Sequence, residues 1–258
     1  MAIASTLSLV LGLAPIAASA ATIPLSQVQS GDLVRGQSFS AVYYVGKDGF
    51  RYVFPNDKTY FTWYSNFNTV KFITDADLAK MQIGGNVTYK PGVKMLKINS
   101  DPKTYAVSSG GTLRWVTSEA IAVSLYGANW NTKIDDVPDA FFSNYKKGPD
   151  LTQAGDFNVS AEQEGATDIN DDKNLKAPTY VDIVDNQFSA TTVTISAGTA
   201  VRWTNKGASK HTATATDLSW GTGTLENGQN FSRYFKTPGT YTYFCSYHPS
   251  MTATIIVQ

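Results

Sequence analysis

A thiol, an imidazole and a thioether fall within seven residues near the end of this chain, in Cys245-Ser-Tyr-His248-Pro-Ser-Met251. Cys245 is the only cysteine, so it forms no intramolecular disulfide and is inert, reactive or a metal ligand. The chain has only two histidines, and the second, His211, precedes Cys245 by 34 residues. One thiolate, two imidazoles and a weak thioether make up the ligand set of a type 1 copper site. Zinc also accepts cysteine and histidine, but a soft thioether in the set favours copper. Taken singly, a lone cysteine reads as a small buried hydrophobe and a lone histidine as structural. Their spacing, and the elements around them, favour a metal centre.

His211 is too far from Cys245 for one local loop, so a fold must bring it in. Gly239-Thr-Tyr241-Thr-Tyr243-Phe-Cys245 follows a Pro-Gly turn and reads as a strand with Tyr241, Tyr243 and Cys245 on one face. Thr252 to Val257, rich in Thr, Ile and Val, reads as the closing strand. Ala200 to Asn205 reads as another, leading through a Gly-containing loop to His211-Thr-Ala-Thr-Ala-Thr. The Cys245–Met251 loop is therefore expected at one end of a β-sandwich.

From about Tyr180 to Gln258 the chain resembles the cupredoxin family, the plastocyanin- and amicyanin-like blue copper proteins. The resemblance is carried by Val201-Arg-Trp203-Thr-Asn205, His211, Pro238-Gly-Thr-Tyr-Thr-Tyr-Phe-Cys245, His248 and Met251. The short Cys-x2-His-x2-Met spacing is amicyanin-like. The resemblance implies a Greek-key β-sandwich holding one copper ion through His211, Cys245, His248 and Met251. It also implies an electron carrier rather than an enzyme, with redox proteins docking near His248, between Tyr247 and Pro249. The multi-copper enzymes of the family need further histidines, and this chain has none to spare. Two positions depart from the family pattern: Lys210 stands where proline is expected, and Thr212 where asparagine is expected. The latter position contacts the cysteine sulfur in the family.

The 258 residues suit one large or two ordinary domains. With 21 basic and 21 acidic residues and no basic run, nothing points to nucleic acid. The charge is unevenly placed: residues 21–148 carry 14 basic and 10 acidic groups, 149–177 carry 2 and 7, and 178–258 carry 5 and 4. Residues 152–177 accordingly read as a solvated acidic linker. Within it, Asp168 to Asn174 begins like a calcium loop, but Lys173 stands where the turn glycine belongs, which favours the linker reading.

Met1 to Ala20 is apolar and ends Ala18-Ser19-Ala20, which reads as a secretory leader (or, uncleaved, an anchor) and places the protein in the periplasm or at the cell surface. Residues 21–151 read as a β-rich domain of two related units with short helices, offset by 63 residues. Arg51-Tyr-Val53 matches Arg114-Trp-Val116, and Trp63-Tyr-Ser-Asn66-Phe67 matches Tyr126-Gly-Ala-Asn129-Trp130. Each unit is expected to carry a hairpin, as in Tyr43–Val53, and a short helix, at Thr74–Lys80 and Val137–Phe142. Gly84–Gly92 is expected to be a strand between them. This region resembles a module of secreted bacterial proteins with no assigned role. Its aromatics, including Tyr60, Trp63, Phe67, Trp115 and Trp130, read as core before they read as a glycan-stacking surface. The chain as a whole is thus expected to be a mostly β, monomeric, exported copper carrier. The alternative is a surface-attached binder whose repeats contact envelope or glycan, with the copper domain as tethered cargo or for sequestration.

Overall fold

The computed structural model describes residues 21–258, and the apolar segment Met1–Ala20 lies outside them. The first repeat unit runs β1 (Leu33–Arg35), β2 (Tyr43–Val45), β3 (Arg51–Val53), α1 (Asp57–Trp63), β4 (Val70–Phe72), α2 (Asp75–Lys80) and β5 (Ile83–Asn86). The second runs β6 (Met95–Ile98), β7 (Asp101–Ser108), β8 (Thr112–Trp115), α3 (Glu119–Tyr126), β9 (Ile134–Asp136), α4 (Asp139–Phe142) and β10 (Lys146–Lys147). The two sheets have the same order, β4-β1-β2-β3-β5 and β9-β6-β7-β8-β10. Outer pairs are parallel and inner pairs antiparallel in both. Helix starts are set by side chains that take up the free N–H groups of the first turn: Asn56 for α1, Thr74 for α2 and Ser118 for α3.

Two local expectations change here. Gly84–Gly92 is not one strand. Beyond β5, side chains replace the ladder: Trp63 Nε1 donates to Thr88 O (2.8 Å), and the N–H groups of Tyr89 and Lys90 go to Tyr145 Oη and Thr62 Oγ1. The segment 152–177 is not a solvated linker. It forms α5 (Val159–Gly165) and α6 (Ile169–Asp172) and buries Phe157, Ala166, Ile169, Asn170, Asp172 and Leu175. Two of its acids are helix caps. Asp168 Oδ1 accepts from Asp171 N–H at the start of α6, and Asp156 closes a capping box with Gln153.

The C-terminal part is a sandwich of two four-stranded sheets. Strands β11 (Thr179–Val184), β12 (Gln187–Phe188), β14 (Thr199–Asn205) and β16 (Asn230–Phe235) form one, in the order β12-β11-β14-β16. Strands β13 (Thr192–Ile195), β15 (Thr214–Ala215), β17 (Gly239–Phe244) and β18 (Thr252–Val257) form the other, in the order β13-β18-β17-β15. Inward residues alternate along the strands: Ala253, Ile255 and Val257 on β18 meet Val181 and Ile183 on β11 and Val201 and Trp203 on β14 in one continuous core. That core includes Cys245 and Met251.

The two halves share a polar joint. Tyr52 and Tyr234 both donate their hydroxyls to the fully buried Asp48, which also accepts from Phe50 N–H. Phe50 stacks on Tyr234 with ring centres 5.2 Å apart. Gln82 exchanges two hydrogen bonds with the Ser232 backbone, at 3.1 and 2.6 Å. Arg202 Nη2 donates to Gly49 O (2.8 Å). Gly49 has φ +80° and lies against the Arg202 guanidinium, so a side chain there would be both strained and obstructed.

Candidate metal centre

Cys245 directly follows β17, and its loop returns to β18 within six residues. Three backbone hydrogen bonds brace that loop: Cys245 N to Met251 O (3.0 Å), His248 N to Cys245 O (3.1 Å) and Met251 N to His248 O (2.9 Å). Pro249 fixes one φ inside it. His211 arrives from the other side. It pairs with Leu225 through two backbone hydrogen bonds and precedes the short β15, which pairs with β17. Only Thr214 and Ala215 of the alternating run after His211 form strand.

The histidine Nδ1 atoms both face the thiol, at 3.7 Å for His211 and 3.6 Å for His248. The rings lie 4.8 Å apart, and the three ligand-type atoms are within 4.8 Å of one another. Two metal–ligand bonds of about 2.0 and 2.3 Å opened to about 120° subtend about 3.7 Å, so both Cys245–histidine separations fit a single shared ion. Cys245 and His211 are fully buried, Met251 is buried and His248 is half-buried. Burial lowers the pKa of His211, the charge of His248 lowers it further, and Asp185 opposes both. Its Nε2 is buried with no hydrogen-bond partner among the described residues. Burial disfavours the imidazolium and so favours the neutral ring that metal ligation requires, and with Nδ1 turned to the thiol that ring's single proton sits on Nε2.

Residues outside the four expected ligands complete the geometry. Thr212 N–H donates to Cys245 Sγ (3.4 Å), a backbone contact that needs no asparagine. Thr212 Oγ1 accepts from Ser246 N–H (2.8 Å), tying the His211 segment to the Cys245 loop. Thr214 and Ser246 hydroxyls join the same cluster. Asn205, also fully buried, donates to Ser209 O and Leu225 O, both at 2.8 Å, and so fixes the approach to His211. Lys210, the other departure, points outward into an ion pair with Glu226. Alternation along a strand marks Asn205 as inward-facing; nothing local in the sequence marks Ser246.

A cupredoxin-like domain profile matches residues 159–257. Amicyanin-alpha of Methylorubrum extorquens is 35% identical over 88 residues, covering 31% of this chain and 71% of that protein. Among solved structures, amicyanin from Paracoccus versutus is similar at 28% identity, covering 31% of this chain and 81% of the other, with a TM-score of 0.29. A purple cupredoxin from Nitrosopumilus maritimus gives 24% identity, 31% and 99% coverage and a TM-score of 0.30. Through its C-terminal sandwich, this chain belongs to the cupredoxin family, whose members bind one copper ion.

Proposed function

We propose that this protein is an exported blue copper protein that carries single electrons between redox partners, its ion held by His211, Cys245, His248 and Met251. The carrying observation is the convergence of two histidine Nδ1 atoms on one buried cysteine sulfur, at 3.6 and 3.7 Å. A bound copper ion would supply the Cu(I)/Cu(II) couple. The chain's own residues would hold the site nearly unchanged between the two states. The loop is braced by its own backbone, and Thr212, Ser246 and Asn205 lock the opposing segment. Little rearrangement then accompanies electron exchange. His248 is half-buried between the half-exposed Tyr247 and the exposed Pro249, with Ala208 exposed on the loop that leads to His211, which suits a small, transient docking face. The apolar Met1–Ala20 segment supports export, and metal binding would explain a lone thiol in an oxidising compartment.

The same reading assigns 21–151 to a repeat domain, 178–258 to a monomeric copper domain, and 152–177 to a packed connector. The test is to add Cu(II) to the full chain, record visible and EPR spectra, and follow reversible electron exchange by voltammetry. An intense visible thiolate-to-copper band with reversible exchange is expected. A colourless one-to-one complex would sink the reading.

A second role has its own observation. Phe67 stacks on Tyr60 at 4.3 Å, and Phe61 and Phe67 are about half exposed beside a cavity of about 520 Å³. Such a face supports envelope or glycan contact by the repeats. The full chain should then cosediment with insoluble cell-wall glycan, and Phe67→Ala should reduce the bound fraction severalfold.

A further inference from the structure

A second concentration of charge lies where the repeats, the connector and the copper domain meet. A cavity of about 340 Å³ is lined by Lys146 of β10, Lys173 and Lys176 of the connector, and Lys236 just after β16. Among the described residues no aspartate or glutamate lines it. Among the described residues none of these four lysines makes an ion pair, whereas six other lysines do.

The buried acids of the region are already engaged. Asp172 accepts from Gly110 N–H and Thr88 Oγ1, and Asp48 accepts from Phe50 N–H, Tyr52 and Tyr234. Lys173 rests 5.4 Å from the centre of the Tyr52 ring. Burial lowers its pKa and Lys146 adds to that, while Asp172 and Asp48 oppose them. Four lysines lining one recess with no carboxylate among the lining residues described make it electropositive, and like charges there repel. Asn144 also lines the cavity. Its Oδ1 accepts from Asn86, and its amide adds N–H donors to the lining.

We propose that this cavity binds a multiply charged oxyanion of the phosphate class, held by Lys146, Lys173, Lys176 and Lys236 across the junction of the repeats, connector and copper domain. Lysines act as point charges on a phosphate and need no fork geometry. The volume accommodates a small organic phosphate as readily as the free ion. Because the four lysines come from three parts of the chain, the ligand binds only their packed arrangement and stabilises it in proportion to occupancy.

The test is calorimetric titration of the full chain with inorganic phosphate and with glucose 6-phosphate, against sodium chloride at matched ionic strength. Saturable one-site binding is expected for at least one phosphate and not for chloride, with a rise in the unfolding temperature. Lys173→Gln and Lys236→Gln should each weaken binding by about tenfold. Lys176 and Lys236 are exposed, so their variants carry the test even if Lys173→Gln does not fold. Equal binding of both ligands identifies a free-phosphate site, and tighter binding of the sugar phosphate an organic one; either supports the proposal. Binding no better than chloride, or undiminished in the Lys176→Gln and Lys236→Gln double variant, overturns it.

Discussion

The copper domain and the repeats use polar groups in opposite ways. In the sandwich one continuous apolar core runs from β11 to β18; of its buried polar residues Asn205, His211 and Thr212 lie at the metal end, Ser232 lies on the joint face, and Thr199 opens β14. The repeats divide their apolar residues among several smaller clusters, one of which reaches Ala200 and Tyr234 of the sandwich. Between them sit Asp48, Asn170 and Asp172, each buried and hydrogen-bonded to another part of the chain. A single large core can carry a ligand set at one end, with a few hydrogen bonds there to lock the loops. Small cores need polar joints to fix their relation, and those joints are costly to break.

The largest expected effect tests the sandwich side. Cys245→Ser removes the only thiolate, so the visible band of the copper-loaded protein should vanish altogether. Circular dichroism should stay close to that of the parent. A variant that remains blue would remove Cys245 from the site and dissolve the contrast.

On the joint side, Asp48→Ala leaves the Tyr52 and Tyr234 hydroxyls without their common acceptor in a buried setting. The expected loss is about 2–4 kcal/mol in denaturant unfolding, with the copper spectrum unchanged. If the spectrum moves with the stability, the two regions are not as separable as the contrast claims. If stability holds, the joint is incidental.

How much of this could be read beforehand follows from the same contrast. The metal-end residues were legible because the chain offers one cysteine and two histidines, and a seven-residue loop confines two of the three. The repeat left a trace in the sequence, Arg51–Val53 matching Arg114–Val116 at an offset of 63, and the corresponding helices and outer strands of the two equally ordered units begin 62 to 64 residues apart. The joint was not, because Asp48 and Tyr234 are 186 residues apart and each looks ordinary alone. The connector misled because its acids read as solvating groups; their use as helix caps depends on Phe157, Ile169 and Leu175 finding a core in the folded chain. The lysine cavity draws on three segments and leaves no local pattern at all.

A smaller effect probes the lock beside the cysteine. Thr212→Val keeps the shape and the backbone N–H to Cys245 Sγ but removes the acceptor for Ser246 N–H. About 1–1.5 kcal/mol of stability should be lost, with copper retained and only a slight spectral shift. Loss of copper binding in a folded variant would show that the hydroxyl holds the ligand loop, not merely steadies it.

The smallest effect is a pH dependence, and its sign separates joint from sandwich. Tyr52 and Tyr234 have pKa values raised well above the ordinary tyrosine value, first by burial and then by donation to Asp48. The groups facing them are Asp48, Arg202, which interacts with Asp48, and Lys173, which lies near Tyr52. A folded pKa above the unfolded value of about 10 leaves stability intact below that pH, because both states are then protonated. Above it the unfolded chain releases protons that the folded chain keeps, so stability falls as pH rises. Tyr234→Phe removes one such proton. The decline between pH 10 and 11 should therefore be shallower in the variant, by about 0.8 kcal/mol half a unit above the unfolded pKa. The measurement is denaturant unfolding at closely spaced pH values, each variant referred to its own stability at pH 8. Other buried tyrosines, Tyr44, Tyr89 and Tyr243 among them, share the general decline, so only the difference between parent and variant reports the joint. Parallel curves would mean that Tyr234 titrates as it does in the unfolded chain, and that the Asp48 joint does not govern its ionisation.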